Sequence, residues 1–370
     1  LKTRRYQIFL LLPPRSAEGN MFGCFASFLL AVPALLSRLG GASSSDDVSV
    51  RLSNGVMMPR VSAGTWLYND SLASLTVQAA LSVGYTHIDT AFDYGNQRGV
   101  SMGLQASGKR RKEFFITTKI PGCGLQGLLP NDCYGNTLSH IKEDLRQLGS
   151  SYPIEYIDLI LIHFPPCLAA NASDPGSPSK SVCGVKRSGC TDAGNCKAVG
   201  EQWRAVQDAY KQGLVRAVGV SNYCSACFAC LGSDGVQPMV NQVQIHVGMG
   251  PDPQGFLTRA RERGTALQAW SPLGHGGSGD PEILNGTLTR GIGRAHGKTA
   301  AQVALKWIVQ HGMSVATKSS SAKHLAENLD IFSWHLSSDE MQALDGAQFA
   351  KADTPSFLCD DAPVSSDVVV

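Results

Sequence analysis

Short apolar segments that end in an ionisable side chain recur along this chain. One ends in Asp89, with Tyr94 five residues further on, and two others end in Lys119 and His163. In a barrel of parallel strands the carboxyl ends of the strands meet on one face, where active sites form. We therefore expect these four side chains to converge and to form a site that can donate a proton.

Strand-like and helix-like segments alternate along most of the chain. Eight segments have the length and apolar character of buried strands: 61–64, 86–89, 114–120, 157–163, 215–221, 239–244, 265–270 and 314–317. Helical patterns lie between them, for example at 72–83, 137–148, 203–212 and 299–311. Repeated strand–helix–strand units predict parallel pairing with right-handed crossovers. Eight such strands match an α/β fold of the closed (α/β)8 TIM-barrel type.

A doubly wound open sheet is the alternative fold, and it would carry a glycine-rich phosphate loop after its first strand. No such loop follows 61–64, and the glycines of 291–297 have the wrong last spacing and follow no strand. We therefore expect a barrel domain over 47–348 that begins with a β-hairpin turning at Asn54-Gly55. The Pro-, Ser-, Gly- and Cys-rich segment 165–199 is expected to be a long loop. Such a loop either shapes substrate access or is a surface insertion.

The two ends of the chain differ from the barrel region. Residues 1–46 contain an apolar run at 22–36 followed by small residues, a pattern typical of a secretory or transit peptide. The run is too short to span a bilayer. We expect cleavage near 42–46 and a C-terminal tail at 349–370. A cleaved leader implies the secretory pathway or an organelle, and an uncleaved one implies the cytoplasm.

Charge and cysteine content narrow the class of partner. The formal net charge is +2, which is not the strongly basic balance of a nucleic-acid-binding protein. Eleven cysteines are many for a cytosolic enzyme, and an oxidising compartment would let some pair. Cys224, Cys227 and Cys230 have the spacing of an iron–sulfur ligand run but lack an obvious fourth ligand. Disulfides or small buried residues are favoured there, and no metal is expected.

A set of ordered motifs resembles the aldo-keto reductase family. They are Val61-Ser-Ala-Gly-Thr-Trp66, Gly84-Tyr-Thr-His-Ile-Asp-Thr-Ala91, Tyr94-Gly-Asn96, Thr118-Lys119, Asp158-Leu-Ile-Leu-Ile-His163, Val218-Gly-Val-Ser-Asn222, Asn241-Gln242, Trp270-Ser-Pro-Leu-Gly274, Lys318-Ser319 and Ala326-Glu-Asn328. The resemblance covers roughly residues 50 to 345. It implies a barrel, expected as a monomer, that binds NADPH in extended form without a Rossmann motif and reduces a small carbonyl substrate.

The resemblance also implies catalytic roles that acid–base chemistry supports. Reduction of a carbonyl places a hydride on carbon and a proton on oxygen. Tyr94 would donate the proton, and the ammonium of Lys119 would favour the phenolate that remains. Asp89 would hold Lys119, and His163 would orient the carbonyl oxygen.

Cofactor and substrate contacts follow from the same resemblance. Trp270 is expected to stack on the nicotinamide, whereas Trp66, His163 and Phe164 are expected at the substrate. The expected cofactor contacts are Gly64, Thr65, Trp66, Ser221, Asn222, Gln242, Trp270, Ser271, Leu273, Lys318, Ser319, Ser320, Ser321, His324, Glu327 and Asn328.

The chain departs from the family pattern at Gln97, Phe164, Gln244, Val247 and His324, and three of these bear on the site. Gln97 stands where an acidic residue commonly follows Tyr-x-Asn, and Phe164 replaces a tryptophan near the substrate pocket. His324 stands where an arginine commonly binds the 2′-phosphate, so NADPH is expected as the cofactor with NADH as a weaker alternative. The alternative function is a cofactor-binding regulatory or scaffold barrel with little turnover, but the intact Asp, Tyr, Lys and His favour an enzyme.

Overall fold

A computed structural model describes residues 48–123, 132–165, 190, 193–274 and 279–349 of the 370. The expected leader and the expected tail beyond Phe349 lie outside these residues. None of the helices within the described ranges combines the length and hydropathy that a bilayer span requires.

The barrel is preceded by the predicted hairpin. Strand β1 (Ser49–Arg51) pairs antiparallel with β2 (Met57–Pro59). In the turn, Asn54 Oδ1 accepts a hydrogen bond from the backbone N–H of Val56 at 3.1 Å, and Gly55 has a φ of 88°. A side chain at Gly55 would strain this left-handed conformation, so the Asn-Gly pair fixes the turn.

Eight parallel strands close into a barrel, as predicted. They are β3 (Val61–Gly64), β4 (His87–Asp89), β5 (Phe115–Ile120), β6 (Ile157–Ile162), β7 (Val215–Ser221), β8 (Val240–Gln244), β9 (Ala266–Trp270) and β10 (Ser314–Thr317). Each strand pairs with the next in sequence, and β10 pairs with β3 to close the ring. The predicted strands differ from these by at most one residue at one end.

Helices surround the barrel and follow the strands in turn. Those of the described residues are α1 (Asp70–Ser82), α2 (Gln97–Ala106), α3 (Cys133–Leu148), α4 (Ala193–Lys211), α5 (Ser225–Ala229), α6 (Phe256–Arg263), α7 (Pro281–Asn285), α8 (Thr287–His296), α9 (Ala300–Gln310), α10 (Ala322–Leu329) and α11 (Ser338–Asp345). Capping boxes start α9 at Thr299 and α11 at Ser337, as their sequences indicate. The glycines of 291–297 lie in α8 and at its C-terminal cap, so they do not form a phosphate-binding loop.

The prediction of a loop over 165–199 was wrong for residues 193–199, which form the start of α4. Asn195, Ala198, Val199, Gln202 and Trp203 are buried along this helix. That spacing of three and four is the period of a helix face packed on the barrel. Because the segment is polar and rich in glycine, the sequence did not indicate this helix.

Disulfides link chain segments that follow β5, β6 and β7. Cys190 pairs with Cys227 and Cys196 with Cys230, so α5 is tied to the start of α4 and to the residue at 190. Cys123 pairs with Cys133, and Cys224 is also disulfide-bonded. Every cysteine that the structure describes is therefore oxidised. The expectation of disulfides in the Cys224–Cys230 run is confirmed, and no cluster of metal-binding side chains lies among the described residues.

Candidate active site

A cavity of about 820 Å³ opens at the carboxyl ends of the strands. Most of the predicted site residues line it: Gly64, Trp66, Asp89, Tyr94, His163, Phe164, Ser221, Asn222, Gln242, Trp270, Ser271, Leu273, Lys318, Ser319, His324, Glu327 and Asn328. Four others do not contribute to its lining, namely Thr65, Lys119, Ser320 and Ser321. Lys119 is fully buried directly beneath it.

A buried ion pair underlies the cavity floor. Lys119 Nζ donates to Asp89 Oδ1 at 2.6 Å and to the carbonyl of Thr90 at 2.9 Å, and it lies 3.5 Å from the hydroxyl of Tyr94. The second Asp89 oxygen accepts from Gln242 Nε2 at 2.8 Å. Buried charges persist only when they are paired and hydrogen-bonded in this way.

Burial, together with the charges of this pair, sets the proton affinity of Tyr94. Burial raises the pKa of Tyr94 to about 12, with the charge of Lys119 opposing the rise and those of Asp89 and Asp93 adding to it. Burial acts to lower the pKa of Lys119, but Asp89 and Tyr94 outweigh it and raise the value above the ordinary one. At neutral pH the site therefore holds a protonated phenol beside an ammonium group, which is the form that can donate a proton.

His163 follows the end of β6 and is held from two sides. Its Nδ1 lies 2.9 and 3.0 Å from the two carboxylate oxygens of Asp93. The ring of Phe164 stacks on it with 4.5 Å between centroids, and the ring of Tyr94 meets it edge-on at 5.7 Å. The imidazole is thus fixed beside the phenol of Tyr94, at the wall of the cavity.

Asp93 is a site residue that the sequence analysis missed. It lies in a single 3-10 turn between Phe92 and Tyr94 and lines the cavity. Burial acts to raise its pKa, but the hydrogen bond and the charge of His163 outweigh burial and lower it. The available signal was a charged residue directly before Tyr94 in an otherwise aromatic turn.

The cavity wall beside β7, β8 and β9 is built from hydrogen-bonded amides. Trp270 Nε1 donates to Asn222 Oδ1 at 3.0 Å, and Asn222 Nδ2 donates to the carbonyl of His163 at 3.0 Å. Asn222 and Ser271 have φ values of 62° and 46°, both in the left-handed region. Strained backbone of this kind is concentrated at functional sites. Gln242 Nε2 is engaged by Asp89 and by Gln268, which fixes its amide within the barrel.

The end of the cavity next to β10 carries Lys318 and His324. Lys318 Nζ lies 4.8 Å from the ring centre of Tyr68 and 5.6 Å from that of Trp66, and partial burial lowers its pKa. His324 is exposed at the start of α10, whose N-terminal cap is the side chain of Ser321. Two nitrogen side chains are therefore available at this end for an anionic group.

A buried carboxyl lies near Lys119. Asp144 of α3 accepts from Thr118 Oγ1 at 2.6 Å. Burial raises the pKa of Asp144 to about 7, and the contacts with Thr118 and Gln97 oppose the rise. Within the described residues, Asp144 Oδ1 and Gln97 Oε1 are buried without a hydrogen-bond donor. A proton on Asp144 would let this carboxyl donate a hydrogen bond to Gln97.

Asp144→Asn tests this arrangement through stability. The folded pKa of about 7 lies above the ordinary value of about 3.9, so the stability that protonated Asp144 contributes is complete below pH 4. It is lost as the pH rises through 7. We expect the variant to be more stable than the wild type at pH 8, by about 1–3 kcal/mol, and similar to it at pH 4. Urea unfolding at both pH values is the measurement, and equal stability at pH 8 would count against a protonated Asp144.

A model of the Aldo/keto reductase family matches residues 51–348. The chain belongs to the aldo/keto reductase family. Membership makes it an oxidoreductase, and both the resemblance and the barrel predicted from the motifs are confirmed.

Relatives and solved structures of the family cover most of the chain. A 9,11-endoperoxide prostaglandin H2 reductase of Trypanosoma cruzi is 33% identical over 80% of this chain and 90% of its own length. A glyoxal reductase of Bacillus subtilis is 33% identical over 80% of this chain and 91% of its own. The structure of a Bombyx mori aldo-keto reductase in complex with NADP is 25% identical, with a TM-score of 0.62 over 80% of this chain and 91% of that one.

Proposed function

We propose that this aldo-keto reductase uses NADPH to reduce an aldehyde or ketone to an alcohol, with Tyr94 as the proton donor. The observation that carries the proposal is the buried pair of Lys119 and Asp89 directly beneath the hydroxyl of Tyr94. This hydroxyl and the imidazole of His163 both face one cavity.

The residues around the cavity fit a nicotinamide dinucleotide. Its volume of about 820 Å³ lies within the ordinary range for cofactor sites. Trp270 presents an indole held by Asn222, which suits stacking on a nicotinamide ring, and Lys318 with His324 suits a phosphate. When bound, the reduced cofactor supplies the hydride. The full set of proposed contacts remains the one given from the sequence, with Thr65, Ser320 and Ser321 contributing from outside the cavity lining.

Each side chain of the site has its own role in the proposed proton transfer. His163 orients the carbonyl oxygen of the substrate next to Tyr94. The phenol donates its proton to that oxygen, and the ammonium of Lys119 stabilises the phenolate that is left. Asp89 holds Lys119 in place, and Gln242 holds Asp89.

The substrate is proposed at the level of chemical class. Trp66 and Phe164 give the cavity aromatic walls, which suit a carbonyl compound with an apolar part. The two relatives are named for a small dicarbonyl and for an endoperoxide, so their names support reduction without narrowing the substrate.

Turnover of a generic aldehyde tests the proposed function. We expect wild-type protein to consume NADPH with 4-nitrobenzaldehyde and to form the alcohol in a one-to-one ratio. Tight binding of NADPH without turnover across a panel of aldehydes and ketones would contradict the proposal. It would support the regulatory or scaffold alternative.

His324→Arg tests how the cofactor is selected. Arginine carries a permanent charge on a planar fork that binds a phosphate bidentately, whereas a neutral imidazole offers one donor. We expect the ratio of kcat/KM for NADPH over NADH to increase in the variant. A ratio unmoved by the arginine would show that the side chain at position 324 does not contact the 2′-phosphate.

We also propose that the protein works as a monomer in an oxidising compartment. The support for an oxidising compartment is that all the cysteines of the described residues are disulfide-bonded. Such bonds rarely persist in the cytosol. A leader over residues 1–46 would provide the route to the secretory pathway or an organelle. N-terminal sequencing of the native protein tests it, and recovery of residues before Met21 would contradict a cleaved leader.

A further inference from the structure

A tight turn follows β3 and has Trp66 and Leu67 as its central residues. It is closed by a hydrogen bond of 3.2 Å from the backbone N–H of Tyr68 to the carbonyl of Thr65. Leu67 has a φ of 63°, in the left-handed region, whereas the φ of Trp66 is not positive. A positive φ at the third turn residue alone is the pattern of a type II turn, where glycine or asparagine is the usual residue. The backbone is therefore strained at Leu67, and strain of this kind persists only when surrounding contacts hold it.

The side chain of Asn96 supplies such contacts. It is fully buried just before α2, and its Nδ2 donates to the carbonyls of both Thr65 and Tyr68 at 2.8 Å. Its Oδ1 accepts from the hydroxyl of Thr90 at 3.2 Å and from that of Thr65 at 3.4 Å. A carbonyl oxygen only accepts hydrogen bonds, so these partners determine which end of the amide faces the turn. Both ends of the turn are thus bonded to one buried amide.

Burial does not hold the two central residues of the turn in place. Leu67 is 68% exposed and Trp66 is 40% exposed, so neither has the close packing that positions a core residue. Trp66 nevertheless lines the cavity. The position of its indole therefore depends on the backbone of the turn, and through that backbone on Asn96.

The rings of this turn face the segment that follows β10. Lys318 Nζ lies 4.8 Å from the ring centre of Tyr68 and 5.6 Å from that of Trp66, and both distances are in the range of a cation–π contact. The hydroxyl of Tyr68 also contacts the side chain of Ser320. Two aromatic rings of one turn thus hold an ammonium group that is proposed to bind a phosphate of the cofactor.

We propose that Asn96 is a positioning residue that holds the turn of residues 65–68, so that Trp66 and Tyr68 fix Lys318. One buried amide then sets both a wall of the substrate site and the orientation of a phosphate-binding group. The functional part of this inference rests on the proposed binding of NADPH and a carbonyl substrate. The structural part, which is the dependence of Trp66 and Lys318 on Asn96, does not.

Two substitutions remove the support of the turn in independent ways. Asn96→Leu removes the buried amide and keeps an apolar side chain of similar size. Leu67→Pro leaves Asn96 in place, but proline fixes φ at about −65° and cannot adopt the conformation of Leu67. Because Leu67 is exposed, Leu67→Pro disturbs no core packing and decides the test if Asn96→Leu does not fold.

Gln310→Leu is the matched control for these two turn variants. The amide of Gln310 also holds backbone, since its Nε2 donates to the carbonyl of Leu336 at 2.8 Å and its Oε1 accepts from the N–H of Leu336 at 3.0 Å. Neither residue lines the cavity. This variant therefore reports the effect of losing an amide that supports a loop elsewhere in the protein.

The first test reads the position of Trp66 without any ligand. In protein labelled with 5-fluorotryptophan, ¹⁹F NMR gives a resonance for Trp66, which is assigned from its loss in Trp66→Phe. We expect this resonance to move in Lys318→Met, because the ammonium group lies near the ring. It should also move in Asn96→Leu and Leu67→Pro, and it should stay in place in Gln310→Leu. An unchanged resonance in the folded turn variants would overturn the proposal.

The second test is the affinity for 2′,5′-ADP, a fragment that carries the 2′-phosphate and requires no turnover. By isothermal titration calorimetry, Kd should rise at least about fivefold in both turn variants, because Lys318 loses the aromatic contacts that orient it. Gln310→Leu should bind the fragment as tightly as the wild type does. An unchanged Kd in both turn variants would overturn the link between Asn96 and Lys318.

A rescue variant separates positioning from a general loss of structure. Glycine adopts a positive φ without strain, so Leu67→Gly in the Asn96→Leu background should need less support from outside the turn. We expect this double variant to recover part of the affinity for 2′,5′-ADP and part of the rise in KM for an aldehyde that Asn96→Leu causes. A double variant no better than Asn96→Leu would show that Asn96 does not act through the turn.

These outcomes separate the two proposals. Failure of the wild type to bind 2′,5′-ADP would contradict NADPH as the cofactor, and the ¹⁹F spectra would still decide the role of Asn96. Normal binding and turnover, with the same Trp66 resonance in the wild type and both turn variants, would overturn the role of Asn96 and leave the proposed function standing.

Discussion

Tyr94→Phe is expected to lower kcat for carbonyl reduction by about 10²-fold or more, because general acids typically contribute that much. The variant removes only the hydroxyl above Lys119 and keeps the ring that packs edge-on against His163. The affinity for NADPH should therefore change little, as measured by fluorescence titration of the cofactor.

Tyr152→Phe is the matched control for this prediction. The hydroxyl of Tyr152 donates to the carbonyl of Lys109, outside the cavity lining, so its removal should leave kcat unchanged. Near-normal turnover in Tyr94→Phe would show that another group donates the proton. Equal losses in the two variants would show a general effect of losing a hydroxyl.

Lys119→Met is expected to abolish most of the activity and to destabilise the protein by about 3–5 kcal/mol. The reason is that removing one member of a buried ion pair leaves the other as an uncompensated charge. Asp89 is 3% exposed, so water cannot replace the lost ammonium. Urea unfolding and kcat with an aldehyde substrate are the two measurements.

The double variant Asp89→Asn/Lys119→Met separates the electrostatic cause from simple loss of packing. It removes both charges, and the amide at position 89 can still bond with Gln242. We expect the double variant to regain much of the stability lost in Lys119→Met and none of its activity. A double variant as unstable as Lys119→Met would show that packing, rather than the unpaired carboxylate, accounts for the loss.

The barrel and the convergence of the candidate catalytic side chains were predictable because their signals are local. Each strand is a short apolar run, and the polar residue at its end lies on the face that parallel strands share. Asp89, Lys119 and His163 each lie at such an end, so their convergence follows once the strands close in sequence order.

The remaining features depend on contacts between distant segments. Asp93 contacts His163 only because β6 brings His163 against the turn before Tyr94. The carboxyl of Asp144 contacts Gln97 because helices α2 and α3 pack together. No local sequence pattern indicates that contact. Cysteine pairing likewise cannot be deduced from spacing alone, because several connectivities are compatible with one pattern. The start of α4 was hidden by a composition typical of loops.

Deuterium transfer from NADPH fully deuterated at nicotinamide C4 to 4-nitrobenzaldehyde, followed by mass spectrometry of the product, tests the proposed reaction most directly. We predict one deuterium in each alcohol molecule that the wild type forms, and at least about 10²-fold slower formation by Tyr94→Phe. Saturable binding of NADPH with no deuterated alcohol would contradict carbonyl reduction at this site.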